Sequence, residues 1–237
     1  ADYSINDHLL INGEFNFDQH LHIGENEQIY PDAIIYSGGD DFDNNYDYEG
    51  FFDLKQTYDN PDQELNFSIS YDFQEDNEYE FLLGTSGVDT TTLYQKINGL
   101  NIDLSYKQPL NDKSIVELGY DGRINHNNET MDFQIASFNG ENTFAYDRAI
   151  HGFYLEYDYK MNQKLSIKPS VRYEHTSKDI SFTSEKSGDE SILYTQVLSL
   201  LDDSTFIDNY QMLYPSLHLN YNITDKQSLQ FGLSKRV

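Results

Sequence analysis

The sequence predicts an all-β fold of antiparallel, up-and-down strands, and three observations support this prediction. Apolar and polar residues alternate with a period of two in many segments, as they do when the side chains of a β-strand point to opposite faces. Short polar turns separate several of these segments. No segment shows the apolar period of an amphipathic helix. The alternation is clearest at 164–175, where Leu165 and Val171 share one side and Lys168 and Arg172 share the other.

The alternating segments follow one another along the chain and predict roughly ten or eleven strands. The clear segments are 65–73, 100–107, 116–123, 153–160, 164–175, 217–223 and 229–233. Fainter alternation predicts further strands at 9–17, 46–58, 79–85, 130–137 and 143–150. Short turns are predicted at 74–77, 111–113, 161–163 and 224–226, and long polar loops at 24–46, 86–95, 138–142 and 177–205.

Two architectures have such strands, a soluble β-sandwich and a transmembrane β-barrel. Short turns that alternate with long loops are typical of an outer-membrane barrel, whose apolar face meets lipid and whose polar face lines the lumen. Aromatic side chains of such a barrel form girdles at the two membrane interfaces, near the ends of its membrane-spanning segments. Aromatic residues also lie at the ends of several predicted strands: Tyr71, Phe73, Tyr106, Tyr157, Tyr159 and Tyr221. We therefore predict an antiparallel up-and-down transmembrane β-barrel. The sandwich stays open, because Tyr and Phe favour strands of any kind.

Composition excludes several classes of protein. The 15 Lys and Arg residues and the 41 Asp and Glu residues give a net charge of −26, which opposes binding to nucleic-acid phosphates. Cysteine is absent, so no disulfide framework or thiolate metal site is expected. Aromatic residues make up 15% of the chain, whereas acidic disordered chains are poor in them. No apolar run reaches the about 18 residues of a transmembrane helix, but a barrel strand crosses with only about 9–11.

An acidic run suggests a calcium loop. The alternate oxygen-bearing residues of this run are Asp41, Asp43, Asn45 and Asp47. An EF-hand loop also needs Gly at its sixth position and Glu at its twelfth, where this sequence has Tyr46 and Phe52. A solvated acidic loop is therefore the preferred interpretation, and no specific metal site is predicted.

Other chemistry finds little support in the sequence. His20 and His22 share one side of an extended segment, but a metal site needs further ligands. The chain has no Gly-x-Ser-x-Gly motif, and no Ser, His and acid set stands out. We therefore predict that the protein is not an enzyme and has no cofactor.

Charged residues are predicted on the polar faces of two strands. They are Glu117, Asp121, Arg123, Lys168, Arg172 and Glu174. An Arg or Lys on the lipid face near the membrane midplane costs about 2–4 kcal/mol, so these residues are predicted to face the lumen. There they either contact a plug and line a substrate path or are simply solvated, and the sequence leaves both interpretations open.

Ordered motifs over about residues 60–237 resemble those of a known family. The C-terminal part of the chain contains, in order, Asn209-Tyr210, Leu213-Tyr214-Pro215-Ser216-Leu217, Ser228-Leu229 and Ser234-Lys235-Arg236-Val237. This run resembles the C-terminal signature of the Bacteroidota outer-membrane β-barrel family, a branch of the TonB-dependent receptors. The family's upstream strands are similar, in order, to Tyr106–Leu110 with Val116–Gly119, to Phe144–Tyr154 and to Ser170–Thr176.

The resemblance implies a barrel segment of a receptor in the bacterial outer membrane that imports a nutrient. Its implied partners are membrane lipid and lipopolysaccharide, the TonB complex acting through a plug, an unidentified nutrient and, less firmly, an accessory lipoprotein. The family's signal peptide and plug are not visible in 1–237, so we expect a partial barrel, roughly half of one with about 22 strands. The alternatives are a soluble acidic β-sandwich or adhesin module that binds calcium or glycans, and a structural barrel that does not transport.

Overall fold

The computed structural model contains a single sheet of ten antiparallel strands, which are hydrogen-bonded in chain order. It describes residues 2–6, 8–30, 35–84, 87–135, 138–188, 203–224 and 226–235. The strands are β1 (Asp2–Asn6), β2 (Leu9–Tyr30), β3 (Ile35–Thr57), β4 (Glu64–Gly84), β5 (Gly87–Asn111), β6 (Ser114–Ile135), β7 (Phe138–Lys160), β8 (Leu165–Gly188), β9 (Ser204–Thr224) and β10 (Gln227–Ser234). The all-β, up-and-down fold is confirmed. Within these ranges, no helix is long and apolar enough to cross a membrane.

The strands are longer than the sequence predicts. Strands β2 to β9 have 21 to 25 residues each. The predicted turn at 74–77 is wrong, because it lies inside β4. The described residues of the predicted loops at 24–46, 86–95, 138–142 and 177–205 are almost all strand, whereas 31–34, 86 and 189–202 lie outside the described residues. The predicted turns at 111–113, 161–163 and 224–226 are confirmed by the strand ends. The errors have one cause. Where both faces of a strand carry polar side chains, apolar and polar residues do not alternate, although the backbone is still hydrogen-bonded to its neighbours.

An apolar band follows the outward face beside the short turns. It comprises 65–73 of β4, 100–110 of β5, 116–124 of β6, 153–159 of β7, 165–173 of β8 and 213–223 of β9. Neighbouring bands are in register, since Leu155 pairs with Leu118 on one side and with Val171 on the other. A tilted strand crosses the hydrocarbon core with about 9–11 residues, so the band matches the thickness of a membrane. Beyond the band, the outward face of the strands is mainly polar.

Aromatic rings mark both edges of the apolar band. Tyr106, Tyr157 and Tyr159 lie beside short turns, as predicted. Tyr71 and Phe73 do not, because β4 continues to Gly84. They lie instead at the opposite edge of the band, where Tyr48 contacts Phe73 with ring centroids 5.8 Å apart. Two aromatic edges are the arrangement expected of a sheet that contacts both membrane interfaces.

The strands are staggered as in a tilted barrel. One line of directly paired residues crosses the sheet through Ile11, Leu54, Phe67, Leu104, Tyr120, Phe153, Tyr173 and Leu213. This line meets β2 two residues after its start but meets β9 eleven residues before its end. The paired line therefore shifts by about nine residues along the strands while it crosses from β2 to β9. With a rise of about 3.4 Å per residue and about 4.8 Å between strands, this shift corresponds to a strand tilt of about 40°. Barrel strands tilt by about 35–45°.

Glycines on the polar face let large side chains lie flat on the sheet. A Cβ atom at Gly119 would collide with the Tyr154 ring, and one at Gly152 would collide with the Arg172 guanidinium. Gly119 is the ladder partner of Tyr154, and Gly152 is the ladder partner of Glu174, which is two residues from Arg172 on the same face. The positions of Tyr154 and Arg172 therefore depend on these glycines.

Substituting Gly152 tests this dependence. In Gly152→Ala the new methyl group must displace the Arg172 guanidinium, which weakens its ion pairs with Asp121 and Glu174, so the free energy of unfolding should fall by about 1 kcal/mol. In the matched control Gly50→Ala, the Cβ atom would lie 3.6 Å from Phe15, an ordinary contact. Because Gly weakens a strand, this control should be neutral or more stable by up to about 1 kcal/mol. Urea unfolding in phospholipid vesicles measures both, and equal effects would contradict the account.

An arginine scan tests which face meets lipid. Leu155 is 49% exposed at the middle of the apolar band, so Leu155→Arg should lower the free energy of unfolding in vesicles by about 2–4 kcal/mol. Ser68 lies on the polar face between Asp53 and Asp103 in the ladder. Ser68→Arg should therefore be neutral or stabilising. A cost at Ser68 as large as at Leu155 would argue against the assignment of the two faces.

Candidate lumen-facing site

The six charged residues predicted to face the lumen share one face of the sheet. Glu117, Asp121 and Arg123 occupy odd positions of β6, and Lys168, Arg172 and Glu174 occupy even positions of β8. The ladder through β7 puts them on the same side, because Asp121 pairs with Gly152 and Gly152 pairs with Glu174. This face is opposite the apolar band. In a barrel whose apolar band meets lipid, it is the face that lines the lumen.

Asp121 is the centre of an ion-pair cluster. One of its carboxylate oxygens is 3.0 Å from Arg123 Nη2, and the other is 3.5 Å from Arg172 Nη2. Arg172 also donates from Nε to Glu174 at 3.2 Å. The Asp121 side chain is only 17% exposed. A carboxylate between two guanidinium groups holds both arginines against the sheet, so four of the six predicted residues act as one unit.

The other two predicted residues have separate partners. Glu117 accepts a hydrogen bond from Tyr154 Oη at 3.0 Å and lies 3.9 Å from Lys107 Nζ. Lys168 forms an ion pair with Glu156. Sequence reasoning missed Lys107, Tyr154 and Glu156 as members of the site. The alternation placed Lys107 and Glu156 on polar faces, but only the register between strands makes them partners.

A second region of the same face is acidic, and we call it the acidic sector. The register brings together two motifs that are separate in the sequence: His20 pairs with Asn45, and His22 with Asp43. The next strand adds Asp76 opposite Asn45 and Glu78 opposite Asp43. The acidic sector therefore gathers residues of β2, β3 and β4 on the part of the sheet beyond the apolar band.

Burial, together with nearby like charges, raises the pKa values of two carboxyl groups in the acidic sector. Burial is the main cause that raises the pKa of Asp76; the nearby Asp47 adds to it, and a hydrogen bond from Gln74 opposes it. Burial also raises the pKa of Glu78, with further contributions from Asp43, Asp76 and Glu129. Both groups lie past the band of β4, which ends at Phe73. The charged forms of these carboxylates are thus disfavoured, and cations or protons near them are favoured.

The structure corrects the calcium-loop interpretation. Asp41, Asp43, Asn45 and Asp47 all belong to β3, which is continuous from Ile35 to Thr57. Alternate residues of a strand are about 7 Å apart, so their oxygens do not wrap around one ion as those of a loop do. Among the described residues, no three His, Asp or Glu side chains are placed to hold a metal ion.

Comparison with known structures supports the fold. The sheet is similar to the ferric yersiniabactin uptake receptor FyuA from Yersinia pestis, with a TM-score of 0.55, 10% identity, and coverage of 94% of this chain and 42% of that one. It is also similar to the ferric citrate transporter FecA in its unliganded form, with a TM-score of 0.53, 11% identity, and coverage of 97% and 33%. For the alcaligin outer membrane receptor FauA from Bordetella pertussis, the values are 0.50, 13%, 94% and 32%.

The chain spans about two fifths or less of the length of these receptors. At such low identity, the similarity shows the fold alone. No curated protein matches the sequence. The profile of the outer membrane protein beta-barrel family, however, matches residues 56–237, which is most of the chain. Together with the apolar band and the strand tilt, this match shows that the chain belongs to the outer membrane protein beta-barrel family and is part of a barrel in the bacterial outer membrane.

Proposed function

We propose that the chain forms part of the wall of a TonB-dependent receptor that imports a nutrient across the outer membrane. The observation that carries this proposal is the charged polar face on a sheet of ten strands that has the tilt of a barrel. Barrels of about 22 strands have a plugged lumen rather than a packed core. The similar structures FyuA and FecA are described as an uptake receptor and a transporter, which supports the same function here.

We assign different roles to the Asp121 cluster and the acidic sector, because they lie at different heights along the barrel. The ion-pair cluster of Asp121 lies in the membrane-spanning part of the lumen, where it provides a fixed polar wall for a plug or for a moving substrate. The acidic sector lies beyond the membrane, where an approaching ligand first meets the protein. The barrel contributes binding and passage without covalent chemistry. Energy would come from the TonB complex, acting through a plug. Lipopolysaccharide would surround the barrel, and an accessory lipoprotein would be a further partner, as in Bacteroidota receptors.

The soluble β-sandwich is disfavoured by the exposure of the apolar band. Leu118 and Leu155 are each 49% exposed and Phe153 is 53% exposed, although they are neighbours in one ladder. A contiguous apolar surface of this kind marks a membrane or protein interface. A soluble module would leave it in water.

Uptake in cells tests the proposed function. We expect at least one nutrient to remain in the medium of a strain that lacks this gene, because the receptor is its route of entry. The same compound should remain in a strain that lacks TonB. Mass spectrometry of the spent medium of the parent and the two deletion strains measures the depletion of each compound.

The matched control is the gene-deletion strain complemented with the intact gene, which should restore depletion. A compound that needs the gene but not TonB would indicate a passive channel. Identical spent media from the parent and the gene-deletion strain, under every nutrient limitation tried, would favour a structural barrel and overturn the import proposal.

A further inference from the structure

Two cations lie directly opposite each other on the lumen face where β7 pairs with β8. Arg148 and Lys178 are ladder partners, and they share the face of Arg172. We call them the cation pair. Like charges directly opposite each other destabilise a sheet. In a chain with 41 acidic and only 15 basic residues, two adjacent cations would be expected to have acidic partners.

Neither member of the cation pair forms an ion pair in the described part of the chain. No carboxylate there lies within ion-pair distance of Arg148 or Lys178. Asp208 is the ladder partner of Lys178 but does not form an ion pair with it. The Nε atom of Arg148 is buried and has no hydrogen-bond partner. An unused guanidinium donor beside a second cation is the environment that an anion would stabilise.

Acidic residues on the other face do not neutralise the cation pair. Asp147 and Asp179 pair with each other in the same ladder, and Asp147 bonds to His126. They point outward, because adjacent residues of a strand face opposite sides. The sheet therefore separates these carboxylates from Arg148 and Lys178.

Apolar and aromatic side chains surround the cation pair on the lumen face. Ile180 pairs with Tyr146 on one side and with Phe206 on the other. Phe206 is 56% exposed. The Lys178 Nζ atom lies 5.4 Å from the centroid of the Tyr210 ring. Cationic donors thus sit beside an exposed apolar surface, and together they match a ligand that has an anionic group and an apolar body.

The cation pair lies outside the membrane-spanning part of the sheet. Arg148 precedes the end of β7 by twelve residues, and Lys178 follows the start of β8 by thirteen, so both lie past the apolar band. Short turns are on the periplasmic side of outer-membrane barrels. The cation pair therefore lies toward the extracellular opening, where a ligand is captured.

We infer that Arg148 and Lys178 bind the anionic group of an imported ligand, an oxyanion such as a carboxylate, while the ligand's aromatic or apolar body rests on Ile180, Phe206 and Tyr210. This inference rests on the proposed import function, because that function makes the polar face a ligand path. It assigns the ligand class: an organic anion with an apolar body.

Binding of a small probe tests the inference. The full chain is purified in detergent, and 4-fluorobenzoate is titrated while its ¹⁹F resonance is recorded, with the uncharged 4-fluorobenzamide titrated in parallel. We expect the benzoate to bind more tightly than the amide. In the double variant Arg148→Gln, Lys178→Gln, benzoate affinity should fall about tenfold or more, because charge-assisted hydrogen bonds are lost. Affinity for the amide should not change.

Two controls separate binding from folding. Lys96→Gln removes a cation from the outward face, where Lys96 pairs with Glu75 at 3.4 Å, and should leave benzoate affinity unchanged. The exchanged variant Arg148→Lys, Lys178→Arg keeps both charges and should retain binding. Because the cation pair is repulsive, the Gln variant should be no less resistant to urea in vesicles than the parent.

Two results would overturn the anion site: equal affinity of the parent for benzoate and amide, or full benzoate affinity in the folded double variant. These binding measurements do not depend on TonB. Anion binding without TonB-dependent uptake would therefore support the site and count against import, whereas uptake without anion preference would do the reverse.

Discussion

The structure depends on one constraint, that no backbone N–H or C=O group can be left without a partner in lipid. A sheet meets this constraint only if its ladders are continuous across the membrane. Strands β2 to β9 are joined in this way by antiparallel pairing that is continuous apart from a register shift near Pro109 and a gap in the β7–β8 ladder at Tyr157 and Asp158, opposite Pro169. The stagger that tilts the strands by about 40° is the form that such ladders take in a barrel. Because charged and polar side chains are unfavourable in lipid, apolar side chains lie on the outward face and polar side chains on the opposite face.

The lumen face can carry many charged side chains because it is not packed into a hydrophobic core. The polar side chains do not fill a compact interior, so charges such as Asp121, Arg123 and Arg172 can pair along the sheet surface. The glycines at 119 and 152 make room for Tyr154 and Arg172 to lie flat. The result is a wall with three regions: ion-paired charges within the membrane, and beyond it an acidic sector and a cation pair set among apolar groups. Under the proposed import function, a surface divided in this way would orient a ligand as well as attract it.

Much of the fold could be predicted from the period of two, because lipid imposes it directly on residues such as 165–173. The prediction failed where lipid ends. At 74–77, four polar residues look like a turn, yet the ladder of β4 pairs them on both sides. The site was predictable in part: the face of Asp121 and Arg172 follows from parity within each strand. Their contact does not, because it joins residues 51 positions apart through a register that no local pattern encodes. The cation pair was missed for the same reason.

The length of the strands has a consequence for the cell surface. In β8, the apolar band ends at Tyr173, but the strand continues to Gly188. At a tilt of about 40°, these residues rise about 35–40 Å beyond the hydrocarbon layer. In the part of the chain that the structure describes, the polypeptide beyond the apolar band is thus mainly hydrogen-bonded sheet. Extracellular proteases, which cleave chains that can unfold locally, would find few sites there. The barrel wall can therefore project far into its surroundings while its described extracellular strands stay hydrogen-bonded and resist digestion.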